Sequence, residues 1–327
     1  MTDEPRRKLR PVPYRGWWKI APTPDLTDVL PPPPEGAEIR NECNDHHIFR
    51  DAEGLWNLWA CVRRTAVGRI LCHWRAKDLT DAPWERTGQI IRADRDAGES
   101  LIDFQGQEFI QSPFVVREGD TWYLLYGGYA TGANANGEPT TDYGEMENQI
   151  SLMTSPDGRT WTRHRDEQGR SRVFAGPGAV RDPCFCKFDG LWYAYYAGHH
   201  NRDRKEAAIY VRTSEDLVHW SDWRIAQHDA EHGRQRYVPE SPAVVRRGGY
   251  YYMFRTHGPS GGTYVYRSTD PLDFGQGKVC DRLVTRLPVI APEIIVAPDG
   301  QEYLSKIHDP EGYGIQLSRL RWESDEV

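Results

Sequence analysis

The sequence predicts an all-β fold, a five-bladed β-propeller with four antiparallel strands per blade and its functional residues at the axial funnel. One observation is a unit that recurs five times: a polar or acidic residue, often followed by Pro, then an apolar strand, a Gly-containing turn and an aromatic strand. A second is the turn itself, a short Asp/Glu/Gly cluster between alternating apolar residues, which signals a hairpin. The third is composition: 12 Trp, 17 Tyr and 9 Phe stand beside 30 Gly and 23 Pro in 327 residues. Aromatic strands punctuated by tight turns fit that balance, and long helices do not.

The elements follow in order. Residues 1–40 form an extended N-terminal segment, stiffened by Pro31 to Pro34 and expected to run along the outside; a strand near Trp17 and Trp18 would help close the ring. The remainder, 41–327, is expected to be one domain. The repeat copies begin near Asn44, Gln111, Arg181, Glu240 and Pro292. With residues 45, 112, 182, 240 and 293 taken as equivalent, the spacings are 67, 70, 58 and 53, each suited to one four-stranded sheet. A second hairpin signature at Thr154-Ser155-Pro156-Asp157-Gly158, and again at Thr213-Ser214-Glu215-Asp216, supplies outer strands, with Trp161 and Trp220 packing between sheets. The strand from Gly314 to Leu320 is expected to share the closure with the N-terminal segment.

Composition excludes several functions. A net charge of −7 leaves no electrostatic footprint for nucleic acid, and no apolar run is long enough for a membrane span. The N-terminus is charged and broken by prolines, without the apolar stretch of a signal peptide, so a cytoplasmic location is expected. The six cysteines form no C-x-x-C pair and read as buried thiols. His228-Asp229-Ala230-Glu231-His232 matches an inverted zinc-peptidase motif, but that motif needs a helix, and here Gly and Arg follow in a connection between blades. The Gly-rich stretch from Gly127 to Gly137 lacks the Lys-Ser/Thr of a phosphate loop and reads as an insertion at the funnel mouth.

In a propeller the first strand of each blade starts beside the axis, so the residues opening the copies converge. These are Asp45, Ser112 after Gln111, Asp182, Glu240 and Glu293. Four carboxylates crowded into one funnel repel and raise at least one pKa, a cost most economically explained by acid–base catalysis. Alone, Asp182 before Pro183 could cap a turn and Glu240 could be a solvated strand end; jointly at repeat positions they point to chemistry. Glu42 and Glu108, the rival acids of the first two blades, are expected to be exposed.

Asn44-Asp45 in the first blade, Arg181-Asp182-Pro183 in the third and Glu240 in the fourth resemble, in order and blade position, the three acids of the five-bladed furanosidases of glycoside hydrolase families 32, 68 and 43. The fourth-blade string from Glu240 to Phe254 looks most like family 43, and the Asn-Asp and Arg-Asp-Pro motifs more like family 32. The resemblance implies an exo-acting glycoside hydrolase cleaving terminal furanosides of arabinose or fructose type. Asp45 would be the nucleophile of a retaining enzyme or the base of an inverting one. Glu240 would be the general acid, and Asp182 would hold sugar hydroxyls or tune that acid, anchored by Arg181. Asn44, His47, Gln111, Ser112, Arg255 and Glu293 complete the expected substrate contacts. His46-His47 stand where family 32 has Pro-Asn-Gly, so the sugar contacts of that loop do not transfer. No cofactor is required; an axial divalent cation such as calcium at His308 is the one ion the resemblance raises. The partner is an oligosaccharide or small glycoside, with oligomeric state open. The alternatives are a phosphorylase or transglycosylase on the same fold, for which Arg181, Arg255 and His257 supply basic groups, or a non-catalytic sugar-binding propeller.

Overall fold

A computed structural model describes residues 6–100, 108–134, 138, 146–199, 207–229, 238–257, 261–277, 280–309 and 312–325. Strand β1 (Leu9–Pro22) comes first. Then come β2 (Glu42–Arg50), β3 (Trp56–Thr65), β4 (Gly68–Ala76) and β5 (Glu85–Ile91), followed by β6 (Glu108–Glu118), β7 (Thr121–Asn134), β8 (Met146–Ser155), β9 (Thr162–Arg163) and β10 (Arg172–Ala175). The second half holds β11 (Arg181–Phe188), β12 (Leu191–His199), β13 (Ala207–Ser214), β14 (Arg224–Asp229), β15 (Glu240–Arg247), β16 (Tyr250–Thr256), β17 (Thr263–Ser268), β18 (Gln276–Gly277), β19 (Leu283–Leu287), β20 (Ile294–Val296), β21 (Glu302–Asp309) and β22 (Gly312–Ser324). Among the described residues no helix is long and apolar enough to cross a membrane.

The strands pair as five antiparallel meanders. The first is β2-β3-β4-β5; the second is β6-β7-β8 with β9 and β10 both on β8; the third is β11-β12-β13-β14. The fourth is β15-β16-β17-β19, and the fifth is β20-β21-β22 completed by β1. The N-terminal strand is thus an edge strand of the fifth meander, with Trp18 opposite Leu317 and Leu9 opposite Ser324. Two-residue parallel pairings, Gly68 with Glu108 and His228 with Gln276, stitch neighbouring sheets at their rims.

Packing follows from period-two alternation, since successive strand residues face opposite sides. On β3, Leu58, Ala60 and Val62 join a core shared with the fifth meander, while Trp59 and Cys61 join one shared with the second. Both faces of such a strand are buried, so it reads as a continuous apolar run. Further cores unite the second meander with the third around Tyr196, the third with the fourth around Tyr195 and Met253, and the fourth with the fifth around Phe254 and Leu304. Each apolar core therefore joins consecutive meanders, and the last returns to the first.

Each meander carries a bulge at one place, in or just before β2, β6, β11, β15 and β20. Between Cys43 and His46, Gln111 and Phe114, Arg181 and Cys184, and Glu240 and Ala243, two residues oppose one on the partner strand. In the fifth, the register shifts likewise between Ile290 and Ile294. Four of the bulges hold a non-glycine residue at left-handed φ: Ser112 at 51°, Asp182 at 54°, Ser241 at 48° and Ala291 at 46°. A proline follows each. Proline lacks a donor and is admitted to a sheet where the ladder is already broken. Such φ values cost about 1–3 kcal/mol each and persist where surrounding structure imposes them, typically at functional sites.

The bulges correct the sequence register. Structurally equivalent positions are 43, 111, 181, 240 and 290, not 45, 112, 182, 240 and 293. Asp182 is the first bulge residue, Asp45 occupies the second, where the other meanders place proline, and Glu240 precedes its bulge.

Candidate active site

The bulge residues of three meanders meet around one carboxyl. Ser112 Oγ lies 2.9 Å from Asp182 Oδ1 and 3.0 Å from Asp45 Oδ2. From the other side the Ser241 backbone N–H donates to Asp182 Oδ2 at 3.2 Å. A serine hydroxyl has one proton to give, so it can satisfy one carboxylate; the second contact is a hydrogen bond when that carboxyl carries its own proton. Burial, then the negative charge of Asp182, pushes the Asp45 carboxyl from 3.8 up to about 7, against the pull of Arg69, Ser112 and Arg63. Asp45 is therefore the group able to hold that proton near neutrality.

Glu240 joins through Arg181, whose guanidinium lies 3.6 Å from Asp182 Oδ2 and 3.9 Å from Glu240 Oε2. Arg181 is itself buried and also donates to the carbonyls of Ala179 and Pro239. Burial lifts Glu240 from 4.5 to about 7; Arg181 opposes this, while Asp182 and Asp45 add to it. Two acids from different meanders are thus lifted into one range.

Asp45, Ser112, Asp182 and Glu293 line one cavity with His46, Phe114, Ser241, Ala291 and the bulge prolines. Glu293 Oε1 pairs with His47 Nδ1 at 2.9 Å, and Glu293 Oε2 is buried with no hydrogen-bond partner among the described residues. His47 packs against Phe114 with centroids 3.8 Å apart and the rings tilted by 32°. His46 Nε2 lies 2.8 Å from Ser305 Oγ, which receives the Glu293 N–H, and burial drops His46 to about 4, so it is neutral.

Glu240, Arg181 and the other expected contacts are not among the residues lining this cavity. Asn44 flanks Asp45, and Gln111 is buried, accepting from Arg69. Arg255 is fully buried; it donates to Tyr266 at 3.0 Å and lies 3.7 Å from Asp229. His308 is on β21, but its side chain lies outside the described residues, as do most of the expected mouth loops and Ala230 to His232 of the zinc-like motif. Among the described residues no three His, Cys, Asp or Glu side chains cluster to hold a metal ion.

Glu42 is a correction: it is fully buried, not exposed, because Arg63 binds it at 2.6 Å and Arg40 and Arg64 lie 3.5 Å away. Glu108, too, is largely covered and holds Arg92 in an ion pair. Arg63 and Arg69, which the sequence did not single out, supply positive charge to Asp45. Nothing in their local pattern marks them; the bulge at Asn44-Asp45 is what brings Asp45 within their field.

A comparison with solved structures gives the fold. A thermostable family-43 glycoside hydrolase aligns with TM-score 0.59 and 17% identity over 88% of this chain and 92% of that one. A sucrose complex of a variant Bombyx mori β-fructofuranosidase of family 32 aligns with TM-score 0.62 and 19% identity, over 93% of this chain and 62% of that one. The α-L-arabinofuranosidase from Lactobacillus brevis aligns with TM-score 0.55 and 13% identity, over 86% of this chain and 91% of that one. No curated protein matches by sequence. A family model described as the glycosyl hydrolases family 32 N-terminal domain matches residues 40–254. Fold and family model together define a glycoside hydrolase. The chain belongs to the family of the glycosyl hydrolases family 32 N-terminal domain.

Proposed function

We propose that this chain is a closed five-bladed propeller over residues 41–327, with β1 lending the last blade its outer strand, and that it removes terminal furanosides of arabinose or fructose type. The cyclic succession of five cores between consecutive meanders supports the closed ring. One observation carries the chemistry: acids from three meanders are tied together by Ser112 and Arg181, with Asp45 and Glu240 both lifted to about 7.

In this reading Glu240 gives its proton to the glycosidic oxygen as the C1–O bond breaks and positive charge spreads over C1 and the ring oxygen. The Asp45 carboxylate, on the opposite face, either attacks C1 or takes a proton from the water that does. Asp182 is held by Ser112 and Ser241 and receives a sugar hydroxyl, and Glu293 lines the same cavity. The working microstate has Glu240 protonated and Asp45 ionised, so kcat/KM should follow a bell with limbs on either side of pH 7. Phosphorolysis draws no support from Arg255, which is not among the residues lining the cavity of Asp45 and Asp182.

The test is incubation with nitrophenyl α-L-arabinofuranoside and with sucrose, with and without phosphate, the products followed by NMR. Release of free sugar independent of phosphate, with one anomer formed first, is the expected result. A sugar phosphate as product, or no turnover of any furanoside, would overturn the reading.

A further inference from the structure

Ser112 takes the first position of the bulge in β6, at a left-handed φ of 51°. Asp182, Ser241 and Ala291 take the same position in three other bulges, with φ between 46° and 54° and a proline after each. Ala291 shows that this backbone does not require a hydroxyl. Ser112 has one all the same, buried, and it spans carboxyls from the two flanking meanders: Oγ lies 3.0 Å from Asp45 Oδ2 and 2.9 Å from Asp182 Oδ1.

The two carboxyls are not equally provided for. Asp182 also receives the Ser241 backbone N–H at 3.2 Å and has the Arg181 guanidinium 3.6 Å away, both on Oδ2. For Asp45, Ser112 is the only hydrogen-bond donor among the described residues. The other charged or titratable groups around Asp45 are Asp182 on β11, Glu240 on β15, Arg63 and Cys61 on β3, Arg69 on β4, and His46 and Glu293 in the same cavity. Burial and the Asp182 charge raise Asp45; Arg69, Ser112 and Arg63 oppose them, and of these Ser112 alone acts by a hydrogen bond.

A hydroxyl has one proton to give, and a bond to a carboxylate is stronger than one to a neutral carboxyl. While Asp45 keeps its proton, it donates to Ser112 Oγ, and Ser112 gives its own proton to Asp182. When Asp45 is the carboxylate, a turn about the Cβ–Oγ bond redirects that proton to it, and Asp182 keeps Arg181 and Ser241. No heavy atom has to move, because both oxygens already lie within 3.0 Å of Oγ. We propose that Ser112 is a positioning residue of the reaction rather than a sugar contact, a hydroxyl rotor that passes its hydrogen bond from Asp182 to Asp45 when Asp45 becomes the working carboxylate. The consequence for turnover rests on the furanosidase reading; the exchange of the hydrogen bond does not.

The test is ¹³C NMR of protein labelled at the aspartate side-chain carboxyl, with the Asp45 signal identified by its loss in Asp45→Asn. Beside it, kcat and KM are followed against pH on a furanoside that the native protein hydrolyses. Ser112→Ala is the variant, since Ala291 already occupies the equivalent backbone. It leaves ionised Asp45 without its donor while Asp182 retains Ser241 and Arg181, so the ionised form of Asp45 loses more. The Asp45 midpoint should rise by at least ~0.5 pH unit, the acidic limb of kcat/KM should rise with it, and kcat should fall ~10-fold with KM within about twofold. A general loosening of the cavity would admit water and lower the midpoint instead. A midpoint that stays or falls in Ser112→Ala overturns the proposal, whether or not any furanoside is turned over. So does a rise in KM at unchanged kcat, which would make Ser112 a sugar contact. A raised midpoint in a protein that turns over no furanoside would support the exchange and overturn the furanosidase reading. Should Ser112→Ala fail to fold, Ser112→Gly is read in the same way, because glycine takes a left-handed φ without steric cost.

Discussion

Asp45 in the acid cavity and Asp157 at the hairpin between β8 and β9 are the same residue in opposite surroundings. Asp157 accepts the backbone N–H groups of Arg159 and Thr160, each at 2.8 Å, and the Thr160 bond above all drops it to about 2. Asp45 has a single serine hydroxyl, a neighbouring carboxylate and little water, and rises to about 7. The outer acid is satisfied by its own turn, and the inner one is frustrated by residues from distant meanders. Frustration that local structure does not require marks the acid that chemistry uses. The turn is built twice, since Asp216 accepts the N–H groups of Val218 and His219 in the same manner.

The largest effect that would break this contrast is on turnover. Asp45→Asn and Glu240→Gln should each lower kcat by ~100- to 10,000-fold with the fold retained by circular dichroism. Asp157→Asn should leave kcat within about twofold. Equal losses at both places would remove the distinction between frustrated and satisfied acids.

Next in size is the pH profile. Asp182 raises both Asp45 and Glu240 by its charge. Asp182→Asn should therefore move both limbs of kcat/KM to lower pH, besides losing activity through the missing hydroxyl contact. A profile reduced in height but unmoved would show that Asp182 acts by contact alone.

How much of this was legible in the sequence depends on what fixes each feature. The strands were, because alternation and turn residues are local: Glu118-Gly119-Asp120 and Arg247-Gly248-Gly249 mark hairpins without tertiary context. The convergence of Asp45, Asp182 and Ser112 was also legible, from repetition. Their relative register was not. A bulge shifts one strand by a residue, and its sign is a proline that can equally mean a strand start. For that reason the repeat pattern aligns Glu293 with Glu240, whereas the structural counterpart of Glu240 in the fifth meander is Ile290. Glu42 was misjudged because three arginines in its own neighbourhood, not exposure, neutralise it. Arg255 is expected as a substrate contact and a basic group, but it is fully buried against Tyr266.

The smallest effects are on stability, where the two regions should respond to pH with opposite signs. The folded protein holds Asp45 above its ordinary 3.8, so it binds more protons than the unfolded chain between about 4 and 7, and stability falls as pH rises through that window. Asp157 lies below 3.8, so its contribution is full above about 4 and is lost as pH falls toward about 2. Asp45→Asn should accordingly raise the melting temperature at pH 8 by ~2 to 5 °C and leave it nearly unchanged at pH 4. Asp157→Asn should lower it by ~2 °C at pH 8, with the difference vanishing near pH 2 to 3 if the protein is still folded there. Differential scanning fluorimetry across pH 3 to 9 reads both. If the two variants shifted in the same direction at pH 8, Asp45 would be as well satisfied as the acid in the turn, and the reason for assigning it to catalysis would be gone.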